Sequence, residues 1–245
     1  MKKWGRSAIR KCEPVLDLLF PPRCTFCDEV LLRSEGGICR SCGKKIQYIT
    51  RPYCMKCGRP LQDASEEYCR DCEGSSKRFI RNRSVLVYDD ITRKAIYRMK
   101  YAGRKEYAKT FAGLCSAALS TWMDYISPDL IIPVPLHISR LKKRGFNQSE
   151  LIADELSEKL SVPCRSDLVT RVRKTTPQKD LSASERQKNL KKAFKIRRND
   201  VKLGTVLLVD DIYTTGSTLD ELAGTLLEAG ASQVYCITVS VGAGG

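Results

Sequence analysis

Apolar and polar positions across residues 84–241 follow two alternating periods, and their switching predicts an α/β order of elements. "SVLVY" at 84–88 is an apolar run of strand length. In "ITRKAIYRMKYAG" the residues Ile91, Ala95, Ile96 and Met99 fall on one helical face, which predicts a helix ending near Gly103. A second helix is expected from Lys105 to about Trp122. "DLIIPVP" at 129–135 reads as a buried strand stopped by proline, and "NQSELIADELSEKL" at 147–160 as a helix with Leu151, Ile152, Leu156 and Leu160 inward. "GTVLLVDD" (204–211), "STLDELAGTLLEAGA" (217–231) and "QVYCITVSV" (233–241) close the order as strand, helix and strand. Strands alternating with crossover helices imply a parallel sheet covered on both faces.

The N-terminal third breaks this pattern. Residues 1–23 read as a basic amphipathic arm ended by Pro21 and Pro22, with Lys11, Glu13 and Asp17 interrupting any signal-like apolar core. Residues 24–72 carry eight of the 12 cysteines as four Cys-x-x-Cys pairs: "CTFC", "CRSC", "CMKC" and "CRDC". Positions 24, 27, 39 and 42 map onto 54, 57, 69 and 72 at a constant offset of 30 residues. Each pair can aim two thiolates at one ion, and two pairs complete a tetrahedron around zinc. The expectation is a double zinc ribbon with two structural Zn²⁺ ions. One would lie on Cys24, Cys27, Cys39 and Cys42, the other on Cys54, Cys57, Cys69 and Cys72, with a crossed arrangement as the alternative. Sites saturated by sulfur leave no open position for catalysis. A disulfide framework would suit an oxidising compartment, whereas this chain reads as cytoplasmic. Cys12, Cys115, Cys164 and Cys236 stand alone as small core or surface residues. "EGSSKRFIRNR" at 73–83 reads as a linker to the α/β domain at 84–241.

Charge changes the picture further. The 245 residues carry a formal net charge of +15, and no apolar run reaches the roughly 18 residues needed to span a bilayer. Between Arg165 and Arg198, twelve Lys and Arg residues face three acids. A polyanionic partner is therefore expected, either nucleic acid or a phosphorylated small molecule. Aromatic residues make up 7% of the chain, and no stacking platform of interleaved aromatics is evident in the basic segment. Any DNA there would be held mainly by its phosphates.

The segment with the clearest chemistry is "VLLVDDIYTTGSTLDE" at 206–221. It leaves a buried strand through two adjacent carboxylates and enters a helix through four hydroxyls and a glycine. In an open parallel sheet, ligands bind beyond the carboxyl ends of the strands, against unpaired N–H groups of the next helix. Thr214, Thr215, Gly216, Ser217 and Thr218 can cradle a phosphate there, while Asp210 and Asp211 suit ribose hydroxyls or a Mg²⁺ shell. Capping a helix would need only one such residue.

These residues resemble the phosphoribosyl pyrophosphate (PRPP) motif of the type I phosphoribosyltransferases. "PVPLHISRLKKRGFNQSELIADEL" (133–156) and "TTPQKDLSASERQKNLKKAF" (175–194) are similar to segments of the ComF-type competence proteins, and the likeness runs from about Cys24 to Val241. The resemblance implies a type I phosphoribosyltransferase-like domain behind the double zinc ribbon. It assigns Asp210 and Asp211 to the ribose 2′- and 3′-hydroxyls, and residues 214–218 to the 5-phosphate. Arg140 and Arg144 would meet pyrophosphate, with Mg²⁺ accompanying PRPP. The basic stretch around 171–190 corresponds to a closing loop, which makes Arg171, Arg173, Lys174 and Lys179 candidates to neutralise the departing pyrophosphate. His137, the sole histidine, falls in the pyrophosphate loop as either a ligand contact or an incidental residue. The implied role is DNA uptake in natural transformation, with single-stranded DNA and other uptake proteins as partners. Dimerisation is common in the superfamily. The alternatives are a non-catalytic PRPP-sensing or DNA-binding assembly factor, and a transferase for a small-molecule acceptor.

Overall fold

The apolar run at Gln233–Val241 forms strand β6 and the run at Thr205–Tyr213 forms its neighbour β5, in a computed structural model that describes residues 21–32, 36–173, 193–198 and 203–242. Strand β1 (Asn82–Val87) adds to β6 and strand β2 (Leu130–Pro133) adds to β5. The sheet order is β1-β6-β5-β2, with every pair parallel. Val206, Leu207, Leu208 and Val209 are all closed to solvent, as the unbroken apolar run of a two-sided parallel strand requires. Strand β5 runs past the acids, because Ile212 and Tyr213 stay in register with Ser240 and Val241. Asp210 and Asp211 therefore lie inside the last part of the strand, with Asp210 opposite Thr238.

The helices follow the sequence periodicity. Among the described residues they are α1 (Arg40–Gly43), α2 (Asp90–Tyr101), α3 (Tyr107–Ile126), α4 (Ile138–Arg144), α5 (Gln148–Leu160) and α6 (Ser217–Glu228). Asp89 caps α2 by accepting from the Thr92 N–H at 2.8 Å, and Asn147 caps α5 by accepting from the Ser149 N–H at 3.2 Å. Strand alternation shows that both sheet faces are covered. Tyr235 meets Trp122 of α3 edge-on at 6.0 Å, while its neighbours Val234 and Cys236 join a buried cluster with Leu219, Leu222 and Leu226 of α6. A short antiparallel ribbon, β3 (Val169–Arg171) with β4 (Phe194–Ile196), was not expected from the sequence. It packs into the α6 cluster through Val169 and Phe194.

The chain divides after Ile46 into two units, Met1–Ile46 and Gln47–Gly245. Each unit contains one half of the cysteine repeat, and the 30-residue offset reappears as matching hydrogen bonds. Cys24 N–H donates to Glu29 O at 2.8 Å, and Cys54 N–H to Arg59 O at 2.7 Å. Leu31 N–H donates to Pro22 O at 2.8 Å, and Leu61 N–H to Pro52 O at 3.0 Å. Each turn needs a left-handed residue, supplied by Asp28 (φ 69°) in the first and Gly58 (φ 77°) in the second.

Glycine is required at the second site for an additional reason. A Cβ on Gly58 would lie 2.9 Å from the Asn82 carbonyl oxygen. The buried Asn82 side chain donates to Cys57 O at 2.8 Å and reaches Ser84 and Thr238, which are themselves 2.6 Å apart. Lys56 donates to the carbonyls of Lys77 and Phe79, and Phe79 is fully buried. Arg78 lies over Gly224 of α6 and pairs with Glu221 at 2.8 Å. Within Gln47–Gly245 the second cysteine cluster thus belongs to the same core as α6.

Candidate functional site: a cationic cavity at the ends of the parallel strands

The carboxyl ends of β2 and β5 open into a cavity of about 920 Å³. Its floor is Asp210 and Asp211. One wall is the turn from β5 into α6, where Thr214, Gly216 and Thr218 reach the cavity. Gly216 is the N-cap of α6 with φ +74° and has no side chain to cap it, while the Ser217 N–H donates to Thr215 Oγ1 at 3.5 Å. Thr215 and Ser217 do not line the cavity; their hydroxyls are 2.7 Å from one another.

The second wall is α4, where the sequence suggested a loop. This seven-residue helix buries none of its residues, and left-handed Gly145 (φ 82°) ends it. Arg140 and Arg144 stand one turn apart on it, and both line the cavity with Lys143. His137 is the α4 N-cap: its Nδ1 accepts from the Ser139 N–H at 3.2 Å, and it does not line the cavity. Asn147 donates to Val134 O at 3.0 Å and so fixes the loop to the end of β2, whereas Phe146 and Gln148 line the cavity, with Gln148 accepting from Arg144.

The third wall is Arg171 from β3. Its side chain is largely buried, with the guanidinium 5.6 Å from the centre of the Phe194 ring. Burial, followed by the nearby Arg140 charge, pushes the Arg171 guanidinium below its ordinary value. Arg140 and Arg171 both line the cavity, and two like charges there are relieved by an anion. Arg173 is not part of the lining, and Lys174 and Lys179 lie outside the described residues, as does the family-like segment 175–192.

The two acids are unequal. Burial, then the adjacent Asp211 charge, raises the Asp210 carboxyl to about 7, against hydrogen bonds from Ser149 Oγ at 2.8 Å and the Asp211 N–H at 2.9 Å. Burial also opposes ionisation of Asp211, yet the Lys100 ammonium bonded to its Oδ2 holds that carboxyl below the usual range. Sequence reasoning missed Lys100, together with Tyr101, Lys143 and Tyr213 of the lining. The available signal was a charged residue directly after Met99, at the edge of the apolar face of α2.

The cysteines settle into two groups, Cys24, Cys27, Cys39 and Cys42, and Cys54, Cys57, Cys69 and Cys72, each with all sulfurs within 4.8 Å of one another. This is the sequential pairing. Cys27 Sγ lies 3.8 Å from Cys39 Sγ, and Cys57 Sγ 3.7 Å from Cys69 Sγ. A tetrahedron with Zn–S bonds of about 2.3 Å has edges of roughly that length. In the second group the hydrogen bond between Cys54 and Cys57 pulls the Cys54 thiol far below the ordinary value and pushes the Cys57 thiol far above it. A divalent cation resolves that conflict by taking all four as thiolates, so both groups fit structural Zn²⁺. Cys115 and Cys236 are fully buried lone thiols, and Cys164 is half-buried.

Comparison with known proteins bears on the same two regions. Residues 15–73 match the family described as Double zinc ribbon domain, and residues 143–243 match the Phosphoribosyl transferase domain family. The chain is similar to DNA utilization protein YhgH of Salmonella typhimurium, with 36% identity over 227 residues that cover 90% of this chain and 98% of that protein. It is 32% identical to competence protein ComFC of Bacillus subtilis over 220 residues, 85% of this chain and 86% of the relative. Competence protein F of Haemophilus influenzae is 42% identical over 109 residues, 44% of this chain and 48% of the relative.

Proposed function

The chain belongs to the family of the ComF/ComFC competence proteins and DNA utilization protein YhgH, and on that premise we propose that its cavity binds PRPP and that it acts with single-stranded DNA during DNA uptake in the cytoplasm. The observation that carries this reading is the charge pattern of the cavity: Lys100, Arg140, Lys143, Arg144 and Arg171 surround just two carboxylates, Asp210 and Asp211. A ligand with phosphates at its ends and hydroxyls in its middle matches that order of charges.

In this reading Asp210 and Asp211 accept hydrogen bonds from the ribose hydroxyls. The N–H groups opening α6, with Thr214 and Thr218, take the 5-phosphate. Thr215 and Ser217 support that turn through their mutual hydrogen bond. Arg140 and Arg144 offer paired donors to pyrophosphate. The hard oxygens of Asp210 and Asp211 fit Mg²⁺, which would shield the pyrophosphate charge. Transfer to an acceptor breaks the bond from C1 to the pyrophosphate oxygen as the acceptor's lone pair bonds to C1. Of the two such candidates among the described residues, Arg171 and Arg173, Arg171 is the one in the lining, where it can neutralise charge on the leaving pyrophosphate.

The test is calorimetric titration of Mg²⁺ and PRPP into zinc-replete protein and into the Asp210→Asn/Asp211→Asn variant. Saturable heat in the wild type and none in the variant is the expected outcome. A folded wild type that gives no heat rules out the PRPP reading. Pyrophosphate release with candidate acceptors then separates a transferase from a binding factor.

A further inference from the structure

Helix α2 presents three kinds of surface. Thr92, Ala95, Ile96 and Met99 are buried, and Lys100 reaches in to Asp211. On the outer side, Arg93, Tyr97 and Tyr101 follow one another at four-residue spacing. Tyr97 is 62% exposed and Tyr101 is 59% exposed, and their ring centroids are 4.5 Å apart. A single exposed tyrosine needs no explanation. Two in contact, adding nothing to the core, are a different matter, particularly because Tyr101 also lines the cavity.

The surroundings of this pair are cationic. The Arg144 guanidinium lies 5.0 Å from the Tyr101 ring centre, and Lys105 Nζ lies 5.0 Å from that of Phe146. Lys94, Lys142 and Lys143 are exposed. Nearby acids are few: Asp90 is paired with Arg93 at 2.9 Å, and Glu106 stands 3.7 Å from Arg104. Aromatic faces in a basic rim are what unpaired bases on a phosphate backbone require. A duplex keeps its base faces stacked inside and could use only the charges.

We propose that Tyr97 and Tyr101 form a base-stacking platform for single-stranded DNA at the mouth of the cavity, with Lys94, Lys105, Lys142 and Lys143 taking its phosphates. The proposal rests on the single-stranded DNA part of the proposed function and gives that partner a location. The platform sits outside the basic segment at 165–198, so stacking joins phosphate attraction as a source of affinity.

The test is fluorescence anisotropy of a labelled 15-mer of thymidine on zinc-replete protein across a salt series. Tyr97→Ala/Tyr101→Ala should weaken binding about tenfold or more, without changing the salt slope, while Tyr97→Phe/Tyr101→Phe stays within about twofold. Lys94→Gln/Lys142→Gln should instead lower the slope by about 0.7 per charge removed. An abasic strand should bind the wild type no better than it binds the alanine variant. Both tyrosines are exposed, and a thermal melt checks that each variant is folded. The platform is overturned if the alanine variant holds the thymidine strand as the wild type does, if the abasic strand binds as well as the thymidine strand, or if a uridine 15-mer outcompetes thymidine. PRPP titration of the wild type runs in parallel. PRPP heat with no thymidine binding removes the DNA reading and the platform together. Tyrosine-dependent thymidine binding with no PRPP heat removes only the PRPP reading.

Discussion

The Lys100 ammonium is bonded to Asp211 Oδ2 on the floor of the cavity, so one of the two acids carries its own counter-ion. Both side chains are largely withdrawn from water, at 17% and 7% exposure, and removing one partner strands the other charge. Lys100→Met should cost about 2–4 kcal/mol, read by urea unfolding near neutral pH, and adding Asp211→Asn should restore most of it. The pH dependence has a defined sign. The Asp211 carboxyl lies below its ordinary 3.8, so the pair's stabilisation is full above that value and is lost as pH falls through the lowered one. The Lys100→Met penalty should therefore shrink in acid. Equal losses in the single and double variants would mean that lysine packing, not charge, is responsible.

Asp210 behaves in the opposite way. Its carboxyl rises from 3.8 to about 7, so between those values the folded chain holds a proton that the unfolded chain has released. Its contribution to stability is greatest at the acid end of that window and falls as pH rises through it. Asp210→Asn removes the like-charge conflict and keeps an oxygen to accept from Ser149. The ligand-free variant should be more stable than the wild type by about 1–3 kcal/mol at mildly alkaline pH, with the gap closing in acid. The same variant should bind PRPP poorly. Thermal melts across pH check the first expectation and calorimetry the second. A variant less stable than the wild type throughout would show that the acid is structural.

The elements with strong periodicity were the ones legible in the sequence. Gln233–Val241 forms a strand over the expected residues, and α5 begins one residue after the expected Asn147, which serves as its cap. The cysteine offset was likewise legible, because metal ligands fix spacing directly. Helix α4 was not, since it buries none of its residues and leaves no apolar stripe to read. The ends of β5 depend on pairing with Ser240 and Val241, which local sequence does not encode. Lys100 and Arg171 reach the cavity only because α2 and the β3–β4 ribbon converge there. Arg171 was already a candidate through the resemblance, whereas Lys100 had only its place at the edge of an apolar helical face to mark it.

The two zinc sites should differ in what their loss does. Cys54, Cys57, Cys69 and Cys72 share a buried cluster with Leu219, Leu222 and Tyr213, while the first four cysteines are not in it. Asn82 also bonds the Cys57 carbonyl directly to the start of β1. Cys57→Ser should therefore lower the melting temperature of the α/β unit by roughly 10 °C or more, and Cys27→Ser should change it by only about 2 °C. Each variant should retain about one zinc per chain by metal analysis. Equal melting shifts for the two variants would contradict the separate standing of the second site.

Tyr213 and Gly216 give the last prediction. Tyr213 is 3% exposed and meets Phe79 edge-on at 6.4 Å, and its hydroxyl has no hydrogen-bond partner among the described residues. That phenol occupies the space into which a Cβ on Gly216 would project, at the turn that opens α6. Tyr213→Phe removes a buried, unsatisfied hydroxyl and should stabilise the protein by about 1 kcal/mol. Gly216→Ala incurs two separate costs, the left-handed backbone at φ +74° and the overlap with the phenol, together about 2–4 kcal/mol. In the Tyr213→Phe background the hydroxyl overlap is gone but ring carbons at 2.6 and 2.9 Å remain, so the Gly216→Ala penalty should fall only in part and stay above the backbone share of about 1 kcal/mol. Urea unfolding of the four proteins measures this coupling. Strict additivity would place the whole cost in the backbone and the ring carbons and free the hydroxyl of any role in requiring glycine there.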